Sequence, residues 1–183
     1  MLIDSSKSSL LIVDVQEKLF PKIHNNSLLN DYLDYLIDVF ALLSLPIIYT
    51  EQYPKGLGLT IDSLKKKLSS LKSMTFEKTS FSCFPEKQGK KMAEKYLTTN
   101  QVIISGIETH ICVLQTAIDL KNLGYNVFII NDAVGSRKED DKRVGIQRAL
   151  SLGINVISFE MLVFELLRDS NHKHFKELSK LIK

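Results

Sequence analysis

Six short apolar runs alternate with segments of helical periodicity along the chain, and this alternation restricts the possible folds more than any other feature. Each run has the length of a buried strand, and the six lie at 9–15, 46–50, 73–78, 101–106, 125–132 and 154–158. Strands that are separated by helices form a mainly parallel sheet with helices on both faces. The sequence therefore predicts an α/β protein with three α/β/α layers and a six-stranded, mostly parallel sheet.

The segments between the runs carry apolar residues at spacings of three and four, which is typical of helices that pack on a sheet. The longest is 27–45, and Gly124 and Gly153 end two further predicted helices. An amphipathic helix is also predicted at 171–183, either docked on its own chain or packed against a neighbour. Its apolar side consists of Phe175, Leu178, Leu181 and Ile182.

Chain length and charge limit the classes of protein that are possible. The 183 residues are enough for one domain with a full core, so 1–183 is predicted to be a single domain. The 24 basic and 21 acidic side chains give a formal charge of +3, which is too small an excess to indicate nucleic-acid binding. We expect a small-molecule substrate and no nucleic-acid partner.

The first residues and the cysteine content bear on the compartment. Only four consecutive apolar residues precede Asp14, so a signal peptide or membrane span is not expected. The two cysteines, Cys83 and Cys112, suit a reducing compartment. The expected location is the cytoplasm, or an organelle lumen if a transit peptide was removed, with no membrane partner.

Three reactive side chains follow predicted strands, where open α/β sheets place their functional sites. Asp14 lies near the end of the first run, directly after LLIV, Lys78 ends the third, and Cys112 follows the fourth at the start of a helical pattern. No glycine-rich phosphate-binding motif is present, which leaves nucleotide binding without support. Each residue also has a structural interpretation: a helix N-cap, a solvated lysine and a buried thiol.

Together the three side chains form a coherent chemical set. A thiol is a good nucleophile only after deprotonation, and a helix N-terminus and a nearby ammonium are both expected to stabilise the thiolate of Cys112. A neighbouring carboxylate can take the thiol proton and return it to a leaving group. The turn GIETHIC is suited to direct backbone N–H groups at a developing oxyanion.

The stretches LLIVDVQ, EKTSFS, ISGIETHICVLQTAIDL and VFIINDAVGS occur in this order. The chain thereby resembles the isochorismatase-like cysteine hydrolases, which include nicotinamidases and N-carbamoylsarcosine amidohydrolases, over roughly residues 8–160. The resemblance implies a Rossmann-like fold, a catalytic triad of Asp14, Lys78 and Cys112, and assembly into a homo-oligomer. It also implies a cis peptide between Ile107 and Glu108, and an oxyanion hole formed by the amides of Glu108 and Cys112.

One departure from the nicotinamidases concerns the metal. Those relatives carry an Asp-x-His pair and a further His after the second strand, whereas YTEQYPKGLGLT here contains neither Asp nor His. We therefore predict no metal and no cofactor, and nicotinamide is disfavoured as the substrate. The stretch is similar to the metal-free isochorismatase domain-containing branch. The pair His172 and His174 has a spacing that could chelate a surface ion, although a solvated tail is favoured.

The predicted function is hydrolysis of a small amide or related C–N bond through a thioester. Two alternatives stay open: a non-catalytic oligomeric scaffold, and a metal-free hydrolase of an isochorismate-like ether, a reaction that some relatives perform without the cysteine. A disulfide between Cys83 and Cys112 is a third, redox alternative. The predicted substrate contacts are Gln16, Phe20, Tyr53, Phe81, Ile107 and Ile111, with core or subunit packing an equal alternative for Phe20, Tyr53 and Phe81.

Overall fold

The computed structural model describes residues 1–182, and it contains one six-stranded sheet. The strand order is β3-β2-β1-β4-β5-β6, and every neighbouring pair is parallel. The predicted fold class is confirmed, and each predicted run overlaps one strand. The strands are β1 (Ser8–Val13), β2 (Ile47–Gln52), β3 (Met74–Lys78), β4 (Gln101–Ile107), β5 (Asn126–Gly135) and β6 (Asn155–Ile157).

Helices cover both faces of the sheet. A π-helical turn, Thr109–Val113, leads directly into α5, so the predicted helix after β4 begins with a wider turn. The helices are α1 (Asn26–Leu42), α2 (Pro54–Leu57), α3 (Asp62–Ser70), α4 (Gly89–Tyr96), α5 (Leu114–Asn122), α6 (Glu139–Ser151), α7 (Phe159–Leu167) and α8 (Phe175–Leu178).

The core has two halves, one on each face of the sheet, because alternate side chains of a strand point to opposite faces. Leu10 and Ile12 of β1 face the half that contains α1 and α7, whereas Leu11 and Val13 face the half that contains α5. Every residue of β1 and β4 is buried. Central parallel strands with helices on both sides require this continuous burial, which explains the unbroken apolar runs in the sequence.

The C-terminal helix is shorter than predicted. Within the described part of 171–183, helix α8 begins only at Phe175 and is followed by a 3₁₀ turn, Ser179–Ile182, and Lys183 lies outside the described residues. The carboxylate of Asp169 accepts a hydrogen bond from the backbone N–H of Asn171, and such local bonds compete with a helix. Leu178 is buried in the α1 half of the core, so the tail docks on its own chain.

The glycine before the last residue of β4 leaves no room for a side chain. Gly106 has a φ of +107°, and a Cβ there would lie 2.2 Å from the carbonyl oxygen of Val13, the residue before Asp14. Gly124 also has a positive φ, +89°, but no atom lies within 4 Å of its Cβ position. Both substitutions to alanine incur a backbone penalty of about 1 kcal/mol, and only the first adds a steric clash.

We therefore expect Gly106→Ala to lower the free energy of unfolding by about 2 kcal/mol more than Gly124→Ala, which is the matched control. Urea denaturation of the two variants measures this difference. Equal losses of stability would contradict the close approach of β1 and β4 at this point.

Candidate active site

The structure brings Asp14, Lys78 and Cys112 together at the carboxyl edge of the sheet. Asp14 directly follows β1, Lys78 is the last residue of β3, and Cys112 lies in the turn after β4. All three residues are buried. Strand β2 separates β1 from β3, so the long side chain of Lys78 extends across the end of β2, and its Nζ donates to Oδ2 of Asp14 at 2.6 Å.

Lys78 is an interior cation with a full set of partners, not a solvated lysine. Besides Asp14, its Nζ donates to Oε1 of Gln52 at 2.8 Å and to the carbonyl oxygens of Phe81 at 2.9 Å and Ser80 at 3.2 Å. A buried ammonium requires such partners because it has lost its water shell. Its position is therefore fixed by β2 and by the loop after β3.

The carboxylate of Asp14 is held by two side chains and lies near the thiol. Oδ1 accepts a hydrogen bond from the hydroxyl of Thr50 at 2.7 Å, Oδ2 accepts from Lys78, and the negative charge of Asp14 raises the pKa of the Cys112 thiol. Asp14 has a φ of +52°, a left-handed conformation that Asp adopts more readily than most residues, and no helix begins at it. The N-cap interpretation of Asp14 is thus excluded by the geometry.

The acidity of Cys112 differs from the sequence-based expectation. Burial raises the pKa of the Cys112 thiol above its ordinary value, and the negative charge of Asp14 raises it further, while Lys78 lowers it by less. The expected stabilisation of a resting thiolate is therefore wrong. In the resting site the thiol holds its proton at neutral pH, and the nearby carboxylate of Asp14 is the candidate group to accept it.

Cys83 lies behind the same cluster. It is fully buried, its Sγ lies 3.7 Å from Oγ1 of Thr50, and its backbone N–H donates to Oγ1 of Thr116 at 2.9 Å. Both cysteines are free thiols, so no disulfide joins Cys83 to Cys112. The spacing of the two cysteines did not indicate that Cys83 would pack beside Thr50, which donates a hydrogen bond to Asp14.

The burial of Cys83 predicts a pH-dependent loss of stability. Burial raises the pKa of this thiol from 9.0 to about 11, so the folded chain retains a proton that the unfolded chain releases. The protonated Cys83 thiol contributes fully to the free energy of unfolding below pH 9.0. This contribution is lost as the pH rises to about 11, at up to about 1.4 kcal/mol per pH unit. In a Cys112→Ala background, adding Cys83→Ala should flatten this decline, as measured by urea unfolding at successive pH values. Parallel pH profiles of Cys112→Ala and the double variant would contradict the raised pKa of Cys83.

The turn at residues 108–113, here called the Cys112 turn, is closed by its own backbone. The carbonyl oxygen of Glu108 accepts hydrogen bonds from the N–H groups of Ile111 at 3.0 Å and Val113 at 3.2 Å. The peptide bond between Ile107 and Glu108 is cis. These contacts fix the path of the backbone between the two amides that the resemblance assigns to the oxyanion hole.

The predicted substrate contacts divide into two groups. Tyr53 and Phe81 are more than half exposed, and Ile111 is partly buried beside the α5 half of the core. Phe20 and Ile107 are buried in the α1 half of the core.

The amide group of Gln16 makes three hydrogen bonds within the chain. Its Nε2 donates to the carbonyl oxygens of Gln52 at 3.0 Å and Gly58 at 2.7 Å, and its Oε1 accepts from the Gln52 N–H at 2.7 Å. Gln16 thereby ties the loop after β1 to the end of β2. The sequence analysis missed Thr50 and Gln52, which lie near the carboxyl end of β2 and hold Asp14 and Lys78.

A cavity of about 510 Å³ opens beside Lys78, on the side of the outer strand β3. It is a cleft of ordinary size for a small-molecule ligand. Its lining residues include Tyr53, Pro54, Glu77, Lys78, Thr79, Ser80, Gln88 and Met92.

Two features are absent from residues 1–182. No helix there is both long enough and apolar enough to cross a membrane. No three His, Cys, Asp or Glu side chains in the same range are grouped so that they could hold a metal ion.

The fold and the site define a Rossmann-like α/β protein with a buried Asp, Lys and Cys cluster at the strand ends. The isochorismatase domain model matches residues 8–161. The chain belongs to the isochorismatase-like hydrolase family.

Individual relatives match over nearly the whole chain. Isochorismatase family protein 1B of Dictyostelium discoideum is 36% identical over 96% of this chain and 86% of its own. The structure of MAR1 ribonuclease from Caenorhabditis elegans has a TM-score of 0.89 and 37% identity, covering 100% of this chain and 92% of that one. The YcaC gene product of Escherichia coli, described as an octameric hydrolase of unknown specificity, has a TM-score of 0.87 at 22% identity, covering 100% and 89%.

Proposed function

We propose that the chain is a cysteine-dependent hydrolase that cleaves a small-molecule amide or related C–N bond through a thioester. One observation carries the proposal: the buried carboxylate of Asp14 is paired with the Lys78 ammonium, and both charges lie close enough to Cys112 to shift the pKa of its thiol. A carboxylate in this position can accept the thiol proton at the moment of attack. The family membership supports a hydrolytic reaction.

The first half-reaction forms the thioester. Cys112 transfers its proton to Asp14 as the sulfur attacks the carbonyl carbon, and the carbonyl oxygen becomes an oxyanion that the amides of Glu108 and Cys112 stabilise. When the oxyanion collapses, the C–N bond breaks. Asp14 gives the proton to the leaving nitrogen, so the amine departs neutral.

The second half-reaction releases the acid. A water molecule gives a proton to Asp14 and attacks the thioester carbon, and the C–S bond breaks. Asp14 then returns that proton to the sulfur, which restores the thiol of Cys112. The raised pKa of the thiol favours this last proton transfer, because the resting site stabilises the protonated form.

Lys78 has an electrostatic role in the proposed reaction. Its ammonium neutralises the charge of Asp14 in the resting site and lies close enough to the sulfur to lower the pKa of Cys112. During attack, negative charge moves from the carboxylate to the sulfur and the substrate oxygen. A fixed cation next to both groups stabilises that charge without reorganisation.

Burial of the thiol restricts the substrate. Only 7% of Cys112 is exposed, so the reacting carbonyl must enter a narrow opening. This favours a small molecule over a polymer. The name of the C. elegans relative nevertheless makes RNA a substrate that the test must include.

The experiment compares the wild type with Cys112→Ser on a panel of small primary and secondary amides, a ureido compound and a single-stranded RNA oligonucleotide. We expect ammonia or amine release from at least one small compound and none above background with Cys112→Ser. RNA cleavage that survives Cys112→Ser, with no amide turnover, would contradict the proposal.

We also propose that the chain acts as a homo-oligomer. Tyr53 and Phe81, both more than half exposed, flank the loops that hold Lys78, and such aromatic side chains are common in subunit interfaces. The octameric assembly described for the E. coli relative is consistent with this. Light scattering should give a mass that is a multiple of 20.8 kDa, and a monomer at all concentrations would contradict it.

A further inference from the structure

The side chain of Glu108 is a buried carboxylate with one charged partner. Its Oε2 accepts a hydrogen bond from the backbone N–H of Arg137 at 2.9 Å, and both carboxylate oxygens lie 3.1 Å from Nε of the same residue. The side chain of Glu108 is 5% exposed, whereas the side chain of Arg137 is 54% exposed. Arg137 therefore donates hydrogen bonds to the Glu108 carboxylate from both its backbone N–H and its side chain.

The loop that carries Arg137 holds the Cys112 turn at a second point. Ser136 is buried, and its Oγ lies 3.0 Å from Nδ1 of His110. Helix α6 also packs closely on this turn, because a Cβ at Gly145 would lie 2.9 Å from the Cα of His110. The first residues after β5 thus contact both the beginning and the middle of the turn that presents the thiol.

From these contacts we propose that Arg137 is a positioning residue, which aims the backbone N–H of Glu108 at the substrate oxyanion. The inference rests on the proposed function, since it concerns the same acyl-transfer site. Arg137 itself does not touch the reacting atoms. It acts by fixing the carboxylate of Glu108, and with it the orientation of the peptide that supplies the amide.

The physical reason is that the position of a buried carboxylate is set by its hydrogen-bond donors. Without the arginine side chain, Glu108 keeps only the backbone N–H of residue 137, and a poorly paired buried charge is expected to move toward water. An oxyanion donor is effective only near its ideal geometry, so a small rotation of the Glu108 peptide weakens it. The guanidinium is suited to this task because its planar donors match a carboxylate.

The test compares two reactions of Cys112 that differ in their need for an oxyanion hole. Acylation by p-nitrophenyl acetate passes through a tetrahedral oxyanion, whereas alkylation by iodoacetamide is a direct displacement at carbon and does not. For Arg137→Met we expect the acylation rate and kcat to fall about tenfold or more, KM to stay within about twofold, and alkylation of Cys112 to stay within about twofold.

The matched control is Arg143→Met. Arg143 is an exposed arginine of α6 whose side chain pairs with Asp140, and its removal should leave both reactions unchanged. Arg137→Lys keeps the charge but loses the planar Nε donor, so it should recover only part of the acylation rate. Glu108→Gln should reproduce the selective loss of acylation at an unchanged melting temperature, which separates positioning from folding.

Two results would overturn the proposed role of Arg137 but not the proposed function. These are unchanged acylation in Arg137→Met, or an equal fall of acylation and alkylation in that variant. A different result would overturn the proposed function as well, namely a wild-type chain that p-nitrophenyl acetate does not acylate at Cys112.

Discussion

Replacement of Cys112 by alanine is expected to lower amide or ester turnover more than about a thousandfold while the chain stays folded. The reason is that the sulfur of Cys112 provides the bond to the acyl group in the proposed reaction. Initial rates on the best substrate of the panel, with circular dichroism as the check of folding, measure the effect.

Cys83→Ala is the matched control, because it removes the neighbouring thiol and leaves Cys112 in place. This variant should keep turnover within about tenfold of the wild type, with some loss of stability from the deleted buried sulfur. Equal turnover in Cys112→Ala and the wild type would exclude the covalent route. It would then favour a hydrolase that needs no cysteine, whereas a wild type without turnover would favour a scaffold without activity.

Replacement of Asp14 by asparagine is expected to have two large effects. It removes the proton acceptor of Cys112, so turnover should fall more than about a thousandfold. It also leaves the buried ammonium of Lys78 without a negative partner, which should lower the free energy of unfolding by about 3 kcal/mol. Rates and urea denaturation of the same preparation report the two effects.

The double variant Asp14→Asn/Lys78→Met separates these effects. Removing the unpaired ammonium should restore most of the lost stability, because the costly buried charge is gone, but turnover should stay at the Asp14→Asn level. A double variant that is as unstable as Asp14→Asn would show that the ion pair does not carry the stability. Recovered turnover would show that Asp14 is not the base.

The fold was predictable because burial on both faces of a parallel sheet forces continuous apolar runs, and LLIV before Asp14 is such a run. The same logic located Asp14, Lys78 and Cys112, since the carboxyl ends of parallel strands meet at one edge of the sheet. Order along the chain and strand topology were enough to bring these three residues together.

Other features depend on packing that no local pattern carries. The raised pKa of Cys112 arises from burial and from the negative charge of Asp14, and the sequence predicts neither how deeply the thiol is buried nor how the charges of Asp14 and Lys78 balance at the sulfur. Thr50 and Gln52 were missed because polar residues late in a strand have many structural explanations. Gln16 was predicted as a substrate contact, and its amide is engaged by the backbone of Gln52 at the end of β2 and of Gly58.

The most direct measurement of the proposed mechanism is mass spectrometry of the enzyme after an acid quench during turnover. The peptide that contains Cys112 should carry the acyl group of the substrate, and the peptide that contains Cys83 should carry none. The modification should disappear as substrate is exhausted, since the thioester is hydrolysed. Product formation with no acyl group on Cys112 at any quench time, or with the group on Cys83, would contradict the thioester mechanism.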